Sequence, residues 1–192
     1  MTRPTRRAAV RAAALIAALL LGLAAAQGYY PAAAGYSWTY SSGETQAMQG
    51  PREMNGRQVY VLVHYLDGVP ISEDYLEYGD GGVYSHGSAA GGQLLSYQPP
   101  LLVYPPEPLA PGMKWISTTN LPGFSLTLDS EVLGMRGVAT PAGRFNALLI
   151  RQTSLTSSGG QSVLELYFVP GVGLVRFVTQ DGTVIDLIER SF

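Results

Sequence analysis

The sequence predicts an antiparallel all-β protein, because helix-breaking residues are frequent and apolar residues alternate with polar ones between turns. From Gln27 onward there are 22 glycines and 12 prolines, a density that disfavours helices along the whole chain. Alternation is clearest where Phe124, Leu126 and Leu128 share one face of a run whose other face is polar. The runs and the turns between them predict about nine to eleven strands.

Turn signals separate the predicted strands. Gln58–Leu66 is apolar on both faces, which is typical of a central strand that is covered on both sides. Leu164, Leu166 and Phe168 share one face of a later strand. Four dipeptides favour hairpin turns between such runs: Asp67-Gly68, Gly81-Gly82, Gly159-Gly160 and Asp181-Gly182.

The first 26 residues are predicted to be a cleaved export signal. Four arginines and no acid lie within Met1–Arg11, and the fifteen uncharged residues of Ala12–Ala26 follow. That stretch is shorter than the roughly 20 residues that span a bilayer as a helix, and Ala24-Ala25-Ala26 matches the pattern read by signal peptidase. We expect cleavage before Gln27, a periplasmic or extracellular protein, and no transmembrane segment afterwards. An uncleaved anchor is the alternative, and Arg6-Arg7 leaves both the Sec and the twin-arginine routes open.

Composition argues against several classes of protein for residues 27–192. Because the chain has no cysteine, it has no disulfide, cysteine-ligated zinc, thiol nucleophile or lipid-modified cysteine. All fourteen acidic residues but only eight of the twelve basic ones lie in this part. The basic residues are scattered, so a nucleic-acid surface is not predicted. With 46% apolar and 14% charged residues, the chain is predicted to form a single β-rich domain rather than a disordered segment.

Residues 98–112 are predicted to be a proline-rich connection, since six of these fifteen residues are proline. Proline lacks an N–H group, so extended backbone without ladder hydrogen bonds is expected here. The apolar run Leu101–Tyr104 lies inside it. The segment is interpreted as a crossover that covers one end of the core; the alternative is an apolar lid or partner-docking loop.

An internal duplication is predicted from a repeated motif. Residues 31–38 and 108–115 both read P-x-A-x-G-x-x-W, and their final residues, Trp38 and Trp115, are the two tryptophans of the chain. The pseudo-repeats are placed at about 29–97 and 106–192. A unit of this size buries little surface alone, so the two copies are expected to share one core.

Two motifs resemble those of a broad group of exported bacterial β-rich proteins. Residues 138–147, VATPAGRFNA, carry a P-A-G-x-F turn, and residues 167–176, YFVPGVGLVR, carry a Y-x-P-G-V-G hairpin. The resemblance covers nearly all of 27–192. It implies a curved antiparallel sheet similar to the half-barrels of lipoprotein carriers, and it implies no reaction.

The motif residues are expected to be structural: Trp38, Trp115, Pro141, Gly143, Phe145, Pro170, Gly171 and Gly173. Proline fixes φ and glycine takes positive φ in tight turns. Gly143 and Gly173 should therefore have a positive φ, or a neighbour too close for a Cβ atom.

No hydrolase, zinc-protease, phosphate-loop or EF-hand motif occurs in the sequence, so no metal, cofactor or enzymatic activity is predicted. The two histidines, His64 and His86, lie on neighbouring predicted strands with four acidic residues nearby: Glu73, Asp74, Glu77 and Asp80. Histidine close to a carboxylate would allow general acid–base chemistry or a weak metal site. The alternative is a solvated face of a hairpin.

Tyrosines favour the N-terminal half as a binding site. Eleven of the twelve lie within residues 29–104, and a tyrosine offers a rigid apolar face with a polar tip. The candidate ligand-binding residues are Tyr60, Tyr65, Tyr75, Tyr78, Tyr84, Leu101, Leu102 and Tyr104. The favoured hypothesis is a non-enzymatic exported domain that binds an apolar or amphiphilic ligand or an envelope partner. The alternatives are a structural envelope protein without a small ligand, and a hydrolase or metal enzyme that uses His64 or His86.

Overall fold

Glycine-containing turns and alternating side chains fold the chain into twelve antiparallel strands. The computed structural model describes residues 28–192, so the predicted export signal lies outside the described residues. The strands are β1 (Ser37–Tyr40), β2 (Glu44–Met54), β3 (Arg57–Leu66), β4 (Val69–Gly79), β5 (Gly82–Ala90), β6 (Gln93–Tyr104), β7 (Lys114–Leu121), β8 (Phe124–Thr140), β9 (Gly143–Thr156), β10 (Gln161–Val169), β11 (Gly173–Thr179) and β12 (Val184–Arg190).

The sheet is a closed barrel in which each strand pairs with its sequence neighbours. β1 closes it by pairing with β12, where Trp38 lies opposite Arg190. The prediction of an antiparallel all-β fold is confirmed, but the prediction of a half-barrel with nine to eleven strands is wrong. Closure requires the two ends of the chain to pair, and no local sequence pattern encodes such a distant pairing. No helix within residues 28–192 has the length and hydrophobicity needed to span a bilayer.

The proline-rich stretch is the second correction, because residues 98–104 belong to β6 rather than to a connection. The β5–β6 ladder breaks between the pairs Gly87–Ser96 and Ser85–Leu101, and Pro99 and Pro100 lie in that break. The residues after them have N–H groups and pair normally. Leu101 is only 2% exposed, so the apolar run packs into the protein and is not an open lid.

Two adjoining apolar clusters form the core of the described chain. The Trp38 cluster contains Trp38, Tyr40, Met48, Val138, Ala147, Val172, Val175 and Leu187. The Trp115 cluster contains Leu109, Trp115, Val132, Leu148, Ile150, Leu166 and Phe168. Burying one side chain of this kind stabilises a fold by about 1.5–3 kcal/mol. Since there is no cysteine, stability has to come from this burial without disulfides.

The two tryptophans have matching environments. Each is the second residue of its strand, Trp38 in β1 and Trp115 in β7, and each is buried. Each indole Nε1 donates a hydrogen bond to a backbone carbonyl, Trp38 to Val172 at 2.7 Å and Trp115 to Val103 at 3.2 Å. The motif residues Pro170 and Gly171 precede Val172 in the β10–β11 turn, so they position the acceptor of Trp38.

The turns before the two tryptophans also match. Gly35 donates its backbone N–H to the carbonyl of Met48 at 2.9 Å, and Gly112 donates to that of Val132 at 2.7 Å. The φ angles of these two glycines are +90° and +84°. We propose that β1–β6 and β7–β12 are the two copies of the predicted duplication.

The contact between the two proposed halves at β6 and β7 is held mainly by side chains. Within residues 28–192 the ladder between these strands consists of one pair, Gln98 with Asn120. Asn120 also donates its side-chain amide to the carbonyl of Gln98 at 3.1 Å. The hydroxyl of Ser117 accepts a hydrogen bond from the backbone N–H of Leu102 at 2.8 Å. Between β6 and β7, side-chain groups thus make hydrogen bonds that backbone groups make in the other strand pairs.

Both motif glycines have positive φ, +140° at Gly143 and +96° at Gly173. Gly143 begins β9 after Pro141, and its neighbour Phe145 packs against the Trp38 cluster. Gly173 begins β11, and a Cβ atom there would lie 3.3 Å from Nε1 of Trp38. The backbone conformation and the close tryptophan both favour glycine at position 173.

We predict that Gly173→Ala destabilises the protein more than Gly182→Ala. Gly182 has a similar φ of +86°, but a Cβ atom there would have no neighbour within 4 Å. The loss of stability in Gly182→Ala therefore measures backbone strain alone, which is about 1–2 kcal/mol. Gly173→Ala adds the contact with Trp38 and should lower the melting temperature by several degrees more, since about 1 kcal/mol shifts it by about 2–4 °C. Thermal melts of the two variants compare them directly. Equal shifts would contradict the role assigned to the Trp38 contact.

Candidate ligand-binding site

The predicted tyrosine set does not form one surface, because the barrel wall divides it. Tyr60 and Tyr78 pack against the Trp38 cluster and Tyr104 against the Trp115 cluster, so these three point inward. Tyr65, Tyr75 and Tyr84 lie on the outer face, since successive residues of a strand point to opposite sides. Strand alternation accounts for this division, because Tyr60 and Tyr65 are five residues apart in β3, and Tyr75 and Tyr78 are three residues apart in β4.

The outward tyrosines make separate local contacts. The Tyr65 hydroxyl accepts a hydrogen bond from the side-chain amide of Gln49 at 3.2 Å, and the Tyr75 hydroxyl donates to Glu73 at 2.6 Å. Tyr84 lines an outer groove of about 480 Å³ together with His86 and Arg57. Tyr65, Tyr75 and Tyr84 therefore do not form one continuous surface on the outside of the barrel.

Two of the three inward tyrosines, Tyr78 and Tyr104, border a small cavity, called here the chamber, where the two apolar clusters meet; Tyr60 does not line it. Its volume is about 100 Å³, and its wall is mainly aromatic and aliphatic: Trp38, Tyr40, Leu62, Leu76, Tyr78, Tyr104 and Phe168 contribute. Among the described residues no charged side chain lines it, and Gln46 supplies the one side-chain amide. Burial raises the pKa of the Tyr78 and Tyr104 phenols above their usual range. Their hydroxyls therefore stay protonated at neutral pH.

The N-terminal segment covers one end of the chamber. Tyr30 stacks on Tyr104 with ring centroids 5.1 Å apart and donates its hydroxyl to the carbonyl of Pro105 at 2.8 Å. Tyr29 is anchored beside it, because its carbonyl accepts the N–H of Gly171 and its hydroxyl accepts that of Leu109. Sequence reasoning missed this pair because the two residues precede every strand. Their position next to the P-x-A-x-G-x-x-W motif is the available signal.

A second cavity, called here the vestibule, adjoins the chamber on the solvent side. It measures about 330 Å³, and three residues line both spaces: Tyr30, Tyr78 and Val83. Its charged lining residues are Asp80 and Glu107. The predicted residues Leu101 and Leu102 border neither space; Leu101 is buried, and Leu102 packs against the Trp115 cluster.

His64 lies on the inner face of β3, between two carboxylates. Its Nδ1 is 2.7 Å from Glu44 and its Nε2 is 3.0 Å from Asp74. Burial alone would lower the pKa of His64, but the hydrogen bonds to Asp74 and Glu44 and their charges raise it to about 9. Glu44 is also bonded to Gln46 at 2.9 Å, which connects this ion-paired group to the chamber wall.

A protonated imidazole with both nitrogens bonded has no free acceptor for a substrate proton, so the geometry of His64 is that of a structural ion pair. His86 is different, because it lies at a β-bulge beneath the outer groove. Its Nε2 is 2.6 Å from Glu77, and the same carboxylate binds Arg57 at 3.0 Å. Residues 28–192 contain no cluster of three metal-ligating side chains arranged to hold an ion.

The sequence matches no protein-family model and no curated protein. Two solved structures are similar to this chain. One is a predicted lipoprotein from Parabacteroides distasonis ATCC 8503, with 14% identity, 85% of this chain and 98% of that chain covered, and a TM-score of 0.46. The other is a predicted exported protein with a YmcC-like fold from Bacteroides fragilis NCTC 9343, with 12% identity, coverages of 86% and 99%, and a TM-score of 0.49.

We predict that His64 stabilises the protein at neutral pH and loses this effect as the pH rises from about 6.5 to about 9. The pKa of His64 is higher in the folded protein than its unfolded value of about 6.5, so its protonated form stabilises the fold. This stabilisation is complete below about pH 6.5. The free energy of unfolding of the native protein, compared with His64→Gln, should show an advantage that shrinks by about 2–3 kcal/mol across this range. Denaturant unfolding at pH 6 and pH 9.5 measures it, and parallel pH profiles would contradict it.

An NMR titration of the His64 ring supplies the control. Asp74→Asn removes one bonded carboxylate, so the midpoint should fall from about 9. Glu53→Gln removes an exposed carboxylate on β2 that has no contact with His64, and it should leave the midpoint unchanged.

Proposed function

We propose that this protein is an exported, non-enzymatic binding protein whose barrel interior accepts the apolar part of a small or amphiphilic molecule. The observation that carries the proposal is the chamber, which has apolar walls, neutral phenol groups and no charged lining residue among residues 28–192. Ligand pockets are typically apolar cavities with a few placed polar groups. Gln46, Tyr78 and Tyr104 are those groups here.

Export is part of the proposal and is supported by the sequence of the first 26 residues. Their basic start, short apolar stretch and alanine-rich end are typical of a signal peptide. The described part of the chain begins at Gly28, and its first aromatic residues, Tyr29 and Tyr30, are packed into the barrel. Folded structure thus follows closely after the expected cleavage point before Gln27.

The size of the chamber restricts what it can hold. An apolar protein cavity of about 150 Å³ binds benzene, so a space of about 100 Å³ suits a short alkyl chain or one small ring. A longer molecule would have to extend past Tyr30, Tyr78 and Val83, which line both spaces, into the vestibule. The ligand we propose therefore has a short apolar end and a polar end that stays near solvent.

A second candidate function is that of a structural envelope protein without a small ligand. It is favoured by exposed apolar side chains at two neighbouring hairpin ends, between β3 and β4 and between β5 and β6: Leu66, Val69, Ile71, Leu94 and Leu95. Contiguous apolar surface of this kind often marks a protein contact. The enzymatic alternative has less support at His64, because both of its nitrogens are hydrogen-bonded to carboxylates.

We predict that hexan-1-ol binds in the chamber and that Leu76→Trp prevents it. The larger side chain occupies the space, so the dissociation constant should rise by about tenfold or more, which corresponds to about 1.4 kcal/mol. Ile116→Trp is the matched control, because Ile116 is 68% exposed on the outer wall. Chemical-shift titration of the purified proteins measures binding, and a cooperative melt verifies that each variant is folded.

The two candidate functions give different results in this experiment. Binding to the native protein and to Ile116→Trp, with loss in Leu76→Trp, supports the chamber. If hexan-1-ol does not bind to the native protein, or binds equally well to Leu76→Trp, the chamber proposal is wrong and the structural role is favoured.

A further inference from the structure

The vestibule carries charge of one sign. Its charged lining residues are Asp80, in the β4–β5 turn, and Glu107, in the connection between β6 and β7, and no basic side chain of residues 28–192 lines it. None of the ion pairs formed within the described chain includes either carboxylate. Both residues are exposed at the mouth. The entrance to the chamber therefore presents two carboxylates without a countercharge from the described residues.

Three tyrosines form part of the vestibule wall, beside Gly79, Gly82, Val83 and Pro106. Tyr29 and Tyr30 meet edge to face with centroids 4.8 Å apart, and Tyr78 lines the same space. A cation near the face of a tyrosine ring is attracted by the ring quadrupole, and groups of such rings bind quaternary ammonium ligands. Burial raises the pKa of Tyr29, and the charge of Glu107 raises it further. Glu107 and Tyr29 line the same space, so the carboxylate lies on the same cavity wall as the tyrosines.

The vestibule lies next to the chamber, because Tyr30, Tyr78 and Val83 line both. We infer that the ligand is a cationic amphiphile, with its alkyl end in the chamber and an ammonium group between the tyrosines and the two carboxylates. This inference rests on the proposed function, since it requires that the chamber be the binding site. Beyond the proposed function, it specifies that the head group of the ligand is positively charged and that this group lies in the vestibule.

The charge of residues 27–192 is consistent with a cationic ligand. Residues 27–192 contain fourteen acidic and eight basic residues, so the field of the protein attracts cations over a distance. An anionic head group would meet Asp80 and Glu107 without a basic partner from the described residues. Such a group would therefore be repelled.

The test compares three probes with the same alkyl chain: hexyltrimethylammonium, hexan-1-ol and hexyl sulfate. We expect the ammonium probe to bind most tightly and the sulfate probe most weakly. Asp80→Asn and Glu107→Gln should each weaken ammonium binding by about two- to fivefold at low ionic strength, as expected for partly exposed charge pairs. Neither variant should change the affinity for hexan-1-ol. Added salt should reduce the preference for the ammonium probe, because it screens exposed charges.

Glu53→Gln is the matched control. Glu53 is an exposed carboxylate near the same end of the barrel, at the end of β2, and it does not line the vestibule. Its variant changes the net charge by the same amount and should leave all three affinities unchanged. An equal loss of ammonium binding in Glu53→Gln would show that only net charge matters and would overturn the inferred head-group position.

Failure of the inference can be separated from failure of the proposed function. If the three probes bind equally, or the sulfate probe binds best, and Leu76→Trp still abolishes binding, the chamber proposal stands and the cationic head group is wrong. If none of the probes binds to the native protein, the proposed function fails and this inference fails with it.

Discussion

The pairing of the first strand with the last is the interaction on which the rest of the structure depends. Pairing of β1 with β12, in which Trp38 lies opposite Arg190, closes the curved sheet into a barrel with an interior and an exterior face. Alternating residues are then separated into a lining and an exterior. The same closure brings the Trp38 indole to the carbonyl of Val172, 134 residues away. The apolar interior and its chamber both follow from this long-range contact.

The interior combines two kinds of packing. Aromatic side chains from both ends of the chain meet at one mouth, and the chamber lies between these rings and aliphatic side chains of the wall. Further along β3 the lining becomes polar, where Glu44, His64 and Asp74 satisfy one another. Gln46 connects the two regions. The chamber is therefore bounded by a hydrogen-bonded group in which one imidazolium lies between two carboxylates.

The sequence predicts the local structure well and the tertiary arrangement poorly. Alternation and glycine turns indicate most strands, because both depend on neighbouring residues. Closure is missed because it depends on residues at opposite ends of the chain. The tyrosines cluster on three neighbouring strands, but alternation within each strand divides them between two faces: Tyr78 pairs with Val83, so Tyr84, the next residue, lies outside while Tyr78 lies inside. Tyr30 could not be found by periodicity, since it belongs to no strand.

The position of the chain ends has a consequence for the connectivity of the barrel. The last strand is tied to the first where the backbone N–H of Ser37 binds the hydroxyl of Ser191 at 2.9 Å, and the link between β6 and β7 lies at the same mouth. Domains whose termini lie close together tolerate circular permutation. A short linker from Phe192 to Gly28, with new ends opened in the exposed Pro106–Pro108 stretch, would keep every strand pairing. The two halves could therefore follow one another in either order along the chain and still form the same barrel.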